Sequence, residues 1–309
     1  EGIAEFVRDT VWDLTTPDSI SKIITDYYGE SKVGGLVGYA DGSSVTGQNK
    51  FSLQACVVKA DLSGFDVGGL IGEVNSNGIT EETDFEVSGA NIILNSGDYN
   101  GTAPDFFVGG LVGKFNWKNG NVLFSKNSTN VTSKNEKEGA GAANAEIGGL
   151  VGNFYVMSTT AMNFVAEENI VESEVESSRQ NLKVGGLFGY TSIWAPQSKL
   201  SLKKNKVVSA KFNTSGQYFY AGGLLGYIMW NADDGALSVD TNEINAEIKT
   251  SGTYLRLGGI LGYSCFNTDK SINSTLSIRG TTVKPVLTSG DLIKTTGTSL
   301  NVVAAAQGV

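Results

Sequence analysis

The chain has 309 residues, 40% of them hydrophobic, enough to bury a large core, so disorder is not the default reading. A net charge of −9 argues against nucleic acid or an anionic membrane as the main partner. Glycine is in excess, at 40 residues against 4 prolines, but shows no G-X-Y period, which excludes collagen; nor does any run approach the ~18 apolar residues of a membrane span.

Taken in chain order, residues 1–32 come first. They begin with Glu1, carry no legible signal peptide, and include TVWDL (10–14) and SKIITDYY (21–28), which read as the end of an earlier, degenerate rung. From Val33 one phrase then recurs seven times: VGGLVGY (33–39), VGGLIGE (67–73), VGGLVGK (108–114), IGGLVGN (147–153), VGGLFGY (184–190), AGGLLGY (221–227) and LGGILGY (257–263). Its first glycines fall at 34, 68, 109, 148, 185, 222 and 258, spacings in the range of solenoids and propellers. Between the phrases lie segments such as LSLKKNKVVSAKF (200–212) and LSVDTNEINAEI (237–248), where apolar residues alternate on both sides of a polar corner. Alternation broken by a small polar residue predicts two short strands joined by a bend. With the glycine phrase as a third strand, each repeat supplies three.

The expected fold is therefore all-β: a parallel, right-handed β-helix or solenoid of about seven rungs over residues 33–290, roughly 34 Å long at ~4.8 Å per rung. Asn205 and Asn242 are the clearest members of an expected amide ladder at one corner. Residues 291–309 form a Ser-, Thr-, Gly- and Ala-rich tail. A seven-bladed β-propeller is the alternative, disfavoured by short repeats and by tryptophans (12, 117, 194, 230) out of register.

The phrase GGLVGY followed by a polar loop and an N-x-V/I strand resembles the GGLxG, or GLUG-type, glycine-rich repeats of microbial surface proteins. More loosely, the chain is similar to the repeats of chlamydial polymorphic outer-membrane proteins, whose FxxN element is matched by FSKN at 124–127. The resemblance spans about residues 33–290 and implies a β-helical, surface-exposed and often adhesive protein; no catalytic residue travels with either motif.

Histidine is absent, which removes Ser-His-Asp and Cys-His catalysis and histidine-containing zinc sites. GGLVG lacks the pattern and the following helix of a phosphate-binding loop. Glu172, Glu174 and Glu176 share one strand face, where an acidic row could bind Ca²⁺ or act on sugar, although a solvated face in an acidic protein is the simpler reading. Glu81, Glu82 and Asp84, and the pair Asp233 and Asp234, read the same way. No cofactor or metal site is expected, and Cys56 and Cys265, six rungs apart, are not expected to pair.

Aromatics are more informative. Tyr39, Tyr190, Tyr227 and Tyr263 occupy one repeat position, and Trp194, Tyr218, Tyr220, Trp230 and Tyr254 add rings in the C-terminal half. Tyr190, Tyr227, Tyr263, Trp194 and Trp230 are candidate contacts for a glycan or protein partner, against ordinary ladder stacking. The phrase itself poses a question, because Leu36 and Val37 point oppositely in a regular strand, yet both positions are apolar in every repeat. Either the glycines bend the strand so that both rows turn inward, the favoured reading, or Val37, Ile71, Val112, Val151, Phe188, Leu225 and Leu261 form an outer stripe for lateral assembly. Five sequons, at Asn100, Asn127, Asn130, Asn213 and Asn273, are candidate glycosylation sites.

These features lead to the expectation of a non-enzymatic extracellular repeat protein, a β-helical stalk or adhesin-like segment of a microbial surface. Its partners would be surface glycans or proteins, or copies of itself, with no nucleic acid and no membrane insertion within this segment. A filament subunit and a carbohydrate-active enzyme with an acidic groove are the alternatives.

Overall fold

The computed structural model describes residues 31–41, 49–76, 79, 82–97, 105–135, 144–250, 254–266, 274–285 and 299–303. Each coil of chain supplies four strands, as in Asn144–Gly148, Val151–Met157, Asn163–Glu167 and Ile170–Ser177. Like strands of successive coils pair in parallel and build four longitudinal sheets, numbered 1 to 4 in the order the chain meets them; among the described residues sheet 1 has eight strands and the others seven. The protein is a parallel β-solenoid. The propeller alternative falls, because a propeller blade is an antiparallel sheet and every strand pair among the described residues is parallel between coils.

The expected three strands per repeat become four because the glycine phrase is two strands and a corner. In IGGLVGN, Ile147 and Gly148 end a strand of sheet 1, Gly149 and Leu150 turn, and Val151 opens a strand of sheet 2. The ladder continues through the turn: Leu150 N and Val151 N both donate to the Leu187 carbonyl of the next coil, at 2.9 and 3.1 Å. Only glycine fits this corner. A Cβ on Gly149 would lie 2.1 Å from Val171 Cγ1 and 2.2 Å from the Gly186 carbonyl oxygen. A Cβ on Gly152 would lie 2.6 Å from Val108 N, so this glycine lets sheet 2 close onto the backbone of sheet 1.

That close approach decides where the two apolar rows go. Residue pairing in sheet 2 brackets the third glycine, running Val112↔Val151 and then Lys114↔Asn153. The strand bends there, and the residues on its two sides lose strict alternation. Leu70, Leu111, Leu150, Leu187 and Leu224 are buried, and so are Ile71, Val112, Val151, Phe188 and Leu225. Val37 and Leu261, in the terminal coils, are half-buried and packed against the same core. The second row is therefore core, and the outer assembly stripe is corrected: the glycine bend turns it inward.

The corner between sheets 3 and 4 is built differently. One residue takes positive φ, from Ala55 through Lys126, Glu168 and Lys204 to Thr241, with glycine at 89 and 280. The next residue points inward, and in four successive coils it is Asn127, Asn169, Asn205 and Asn242, each almost wholly buried. Asn169 is typical. Its Oδ1 accepts from Asn127 N and Nδ2 at 3.1 and 2.9 Å, and its Nδ2 donates to the Phe124 carbonyl and to Asn205 Oδ1 at 3.0 and 2.9 Å. The expected ladder at Asn205 and Asn242 is present, joined at 3.0 Å, and extends two coils further towards the N-terminus. Aromatic stacking supports the same axis inside the core, with Phe51 on Phe85 and Phe115 on Phe154 at 5.0 and 5.1 Å between ring centres.

Past the expected boundary at residue 290, Ser299–Val303 adds an eighth strand to sheet 1 by pairing with Tyr254–Gly258. Residues 1–30, with TVWDL and SKIITDYY, lie outside the described residues.

Candidate functional surface

Because sheet 2 closes onto sheet 1 at the third glycine, the outward side chains of the two sheets meet along one longitudinal seam. The sheet 1 side is the residue two before the first glycine: Lys32, Asp66, Phe107, Glu146, Lys183, Tyr220 and Arg256, in register. The sheet 2 side is the last residue of the phrase: Tyr39, Glu73, Lys114, Asn153, Tyr190, Tyr227 and Tyr263. Seven residues separate the partners in each coil, too far for sequence periodicity to join them.

The N-terminal half of the seam is ionic. Glu73, nearly buried, receives Lys32 at 2.5 Å and Lys114 at 3.2 Å. Lys32 Nζ lies 4.4 Å from the Tyr39 ring centre and Lys114 Nζ 5.8 Å from that of Phe107. In the middle, buried Glu146 accepts from Lys183 Nζ at 2.6 Å and from Asn153 Nδ2. Burial pushes the Glu146 carboxyl above the usual carboxylate range, and the Lys183 ammonium only partly offsets this.

The C-terminal half is aromatic and cationic. Tyr190, Tyr227 and Tyr263 form a column with ring centres 5.4 and 4.8 Å apart. Tyr220 meets Tyr227 edge-on at 5.4 Å, and beside them Tyr218 and Tyr254 stack at 4.7 Å with planes 10° apart. Lys183 Nζ sits 4.4 Å from the Tyr190 ring centre, and Arg256 Cζ sits 4.0 Å from that of Tyr263 and 5.9 Å from that of Tyr220. Burial raises the Tyr190 phenol, and burial with neighbouring phenols pushes Tyr227 up to about 12, so both hydroxyls are neutral donors at physiological pH.

The expected contacts divide. Tyr190, Tyr227 and Tyr263 are brought together as anticipated. Trp194 is 37% exposed on the outer face of sheet 2, next to exposed Met157, and its indole N–H donates to Ser192 Oγ at 2.9 Å. Trp230 is corrected: it is fully buried in the core, its indole N–H bonding Ser274 Oγ at 3.3 Å, because it falls on the inward side of its strand. Lys183 and Arg256 were missed, and the available signal was their fixed position two residues before each glycine pair.

The remaining sequence candidates fall elsewhere. Asn127 is corrected as a glycosylation site, since its side chain is consumed by the amide ladder inside the core. Asn130 and Asn213 are exposed on sheet 4, while Asn100 and Asn273 lie outside the described residues. Glu172, Glu174 and Glu176 face outward on sheet 4 among neutral and basic neighbours: Asn130 donates to Glu172 at 3.1 Å, Lys211 lies in register with Glu174, and Lys134 pairs with Glu176 at 3.4 Å. Asp84 accepts from Asn121 N and Nδ2, Glu82 is exposed, and Glu81 lies outside the described residues. Asp233 and Asp234 are exposed at a corner. Among the described residues no group of three acidic or cysteine side chains is placed to hold a metal ion. Cys56 and Cys265 are both free.

The fold and this seam define a four-sheet parallel β-solenoid of glycine-cornered repeats. Comparison with protein-family models, with curated proteins and with solved structures finds no match.

Proposed function

We propose that this chain is a non-enzymatic extracellular repeat protein, a rigid, adhesin-like rod of a microbial surface that offers the aromatic half of its seam to surface glycans. The observation that carries the reading is the tyrosine column Tyr190–Tyr227–Tyr263 with Tyr218, Tyr220 and Tyr254 beside it, held outward on the solenoid wall. The column rings are tilted against one another and half-buried, and their neutral phenols are the polar groups this face offers a sugar. Tyr254 and Trp194, each 37% exposed, supply the accessible apolar surface for sugar C–H faces. Single contacts of this kind are weak, and a rod displayed in many copies makes them additive. The lateral-assembly argument loses its basis, because the apolar row behind it is core.

The test is a glycan array probed with the whole chain and with a Trp194→Ala, Tyr254→Ala double variant, both positions being exposed enough to change without disturbing the core. Glycan binding that the double variant loses supports the reading. Binding that is absent from every glycan, with retention on cells stripped of carbohydrate, would replace it with a protein partner.

A further inference from the structure

The charges of the seam follow a rule with one exception. Lys32 and Lys114 share Glu73, and Lys183 holds Glu146, so three of its four cations have a nearly buried carboxylate from the same seam. Arg256 is the fourth. It is half-buried between the rings of Tyr263 and Tyr220, and among the described residues its guanidinium has no ion pair and no hydrogen bond. A guanidinium carries five N–H donors in a planar fork matched to a carboxylate, and two rings beside it, at 4.0 and 5.9 Å from Cζ, narrow the space that fork can occupy. Around it stand the phenols of Tyr227 and Tyr263 and the exposed ring of Tyr254, which are groups suited to sugar hydroxyls and sugar C–H faces. The strand bearing Arg256 is paired on both sides, with Tyr218–Gly222 and Ser299–Val303, so a peptide has no free strand edge to join there.

We propose that Arg256, clasped by Tyr220 and Tyr263, binds the carboxylate of an acidic sugar residue and occupies the place that Glu73 and Glu146 hold for the other cations of the seam. The proposal rests on the glycan reading of the aromatic face and narrows it to carboxylated sugars. Both uronates and sialates present that group.

Calorimetric titration of the whole chain tests it with four probes: oligogalacturonate, its carboxyl-reduced counterpart, sialyllactose and lactose. The expected result is that one acidic probe binds at least about tenfold more tightly than its neutral partner, the size of a charge-assisted hydrogen-bonded pair. That preference weakens with added salt, and which acidic probe shows it identifies the source. Arg256→Gln should erase the preference, whereas Arg256→Lys, which keeps the charge and loses the fork, should retain part of it. The comparison of acidic with neutral probes on the unaltered chain stands even if a variant folds poorly. Equal binding of acidic and neutral probes, or a preference intact in Arg256→Gln, overturns the carboxylate site and leaves the glycan reading in place. If no sugar binds, both fall, and capture of a polyglutamate peptide lost in Arg256→Gln would assign the site to an acidic protein partner.

Discussion

Asn169→Ala is the sharpest test of how this solenoid is held together. The substitution deletes an acceptor used by Asn127 N and Nδ2 and a donor used by the Phe124 carbonyl and Asn205 Oδ1. Asn205 Oδ1 keeps a partner, because Asn169 N still donates to it at 3.2 Å. Two donors on Asn127 lose their Asn169 acceptor in a corner where Asn127 itself is 1% exposed, and the Phe124 carbonyl loses one donor. Asn127 Nδ2 keeps the Val87 carbonyl at 3.0 Å, so at about 1–3 kcal/mol for the orphaned Asn127 N–H and about 1 kcal/mol for the second lost bond the loss should be about 2–4 kcal/mol. The same change at Asn242 should cost a similar amount, because its Oδ1 likewise serves Asn205 N and Nδ2, at 2.9 and 3.0 Å, and its Nδ2 serves the Leu202 carbonyl. Exposed Asn130→Ala should stay within about 0.5 kcal/mol. Urea unfolding followed by tryptophan fluorescence gives the totals, and hydrogen exchange at the Asn127 amide localises the damage. A loss below about 1 kcal/mol for Asn169→Ala would refute the idea that the amide ladder secures this corner.

Four further outcomes follow from the same geometry. Gly149→Ala should prevent proper folding, since its methyl meets the Gly186 carbonyl, whereas Gly89→Asn should cost about 1 kcal/mol or less, because non-glycine residues take positive φ at the same corner in other coils; circular dichroism melts separate the two. Val112→Lys places an ammonium in the core and should abolish the folded state, so a soluble variant with native dichroism would return the row to the surface. In the native protein a thiol reagent should label Cys265 quickly and Cys56 only on unfolding, since burial both shields the Cys56 thiol and raises its pKa. Because burial raises the Glu146 carboxyl, the folded state holds that proton to higher pH than the unfolded chain. Its contribution to stability therefore falls as pH rises from the ordinary carboxylate range through the folded value. Glu146→Gln should flatten this part of the urea midpoint's pH profile, and an unchanged profile would count against the assignment.

Much of the architecture was legible in the residues. Repetition of GGLxG at solenoid spacing, alternation on both sides of a polar corner, and asparagine at 205 and 242 point to stacked parallel strands with an amide ladder. These are properties of single positions repeated by the chain, so they survive in one dimension. The number of sheets did not survive, because a glycine corner has no side chain to break the pattern and both flanking apolar residues turn inward.

The charged half of the seam, and the contact of Lys183 and Arg256 with the tyrosines, were decided only by tertiary structure. Their partners are seven residues away along the chain or a whole coil away through space, and they meet because glycine allows one sheet to lie against the backbone of the next. Trp230 was legible by contrast: it stands three residues after Tyr227 and Trp194 four after Tyr190, so Trp230 pairs with buried Ile193 and alternation alone puts the two rings on opposite faces. The sequence by itself determined that the chain stacks and which residues recur in each coil. Which of those residues reach the outside depended on the bend, and the bend is set by backbone packing between coils rather than by any residue's own preference.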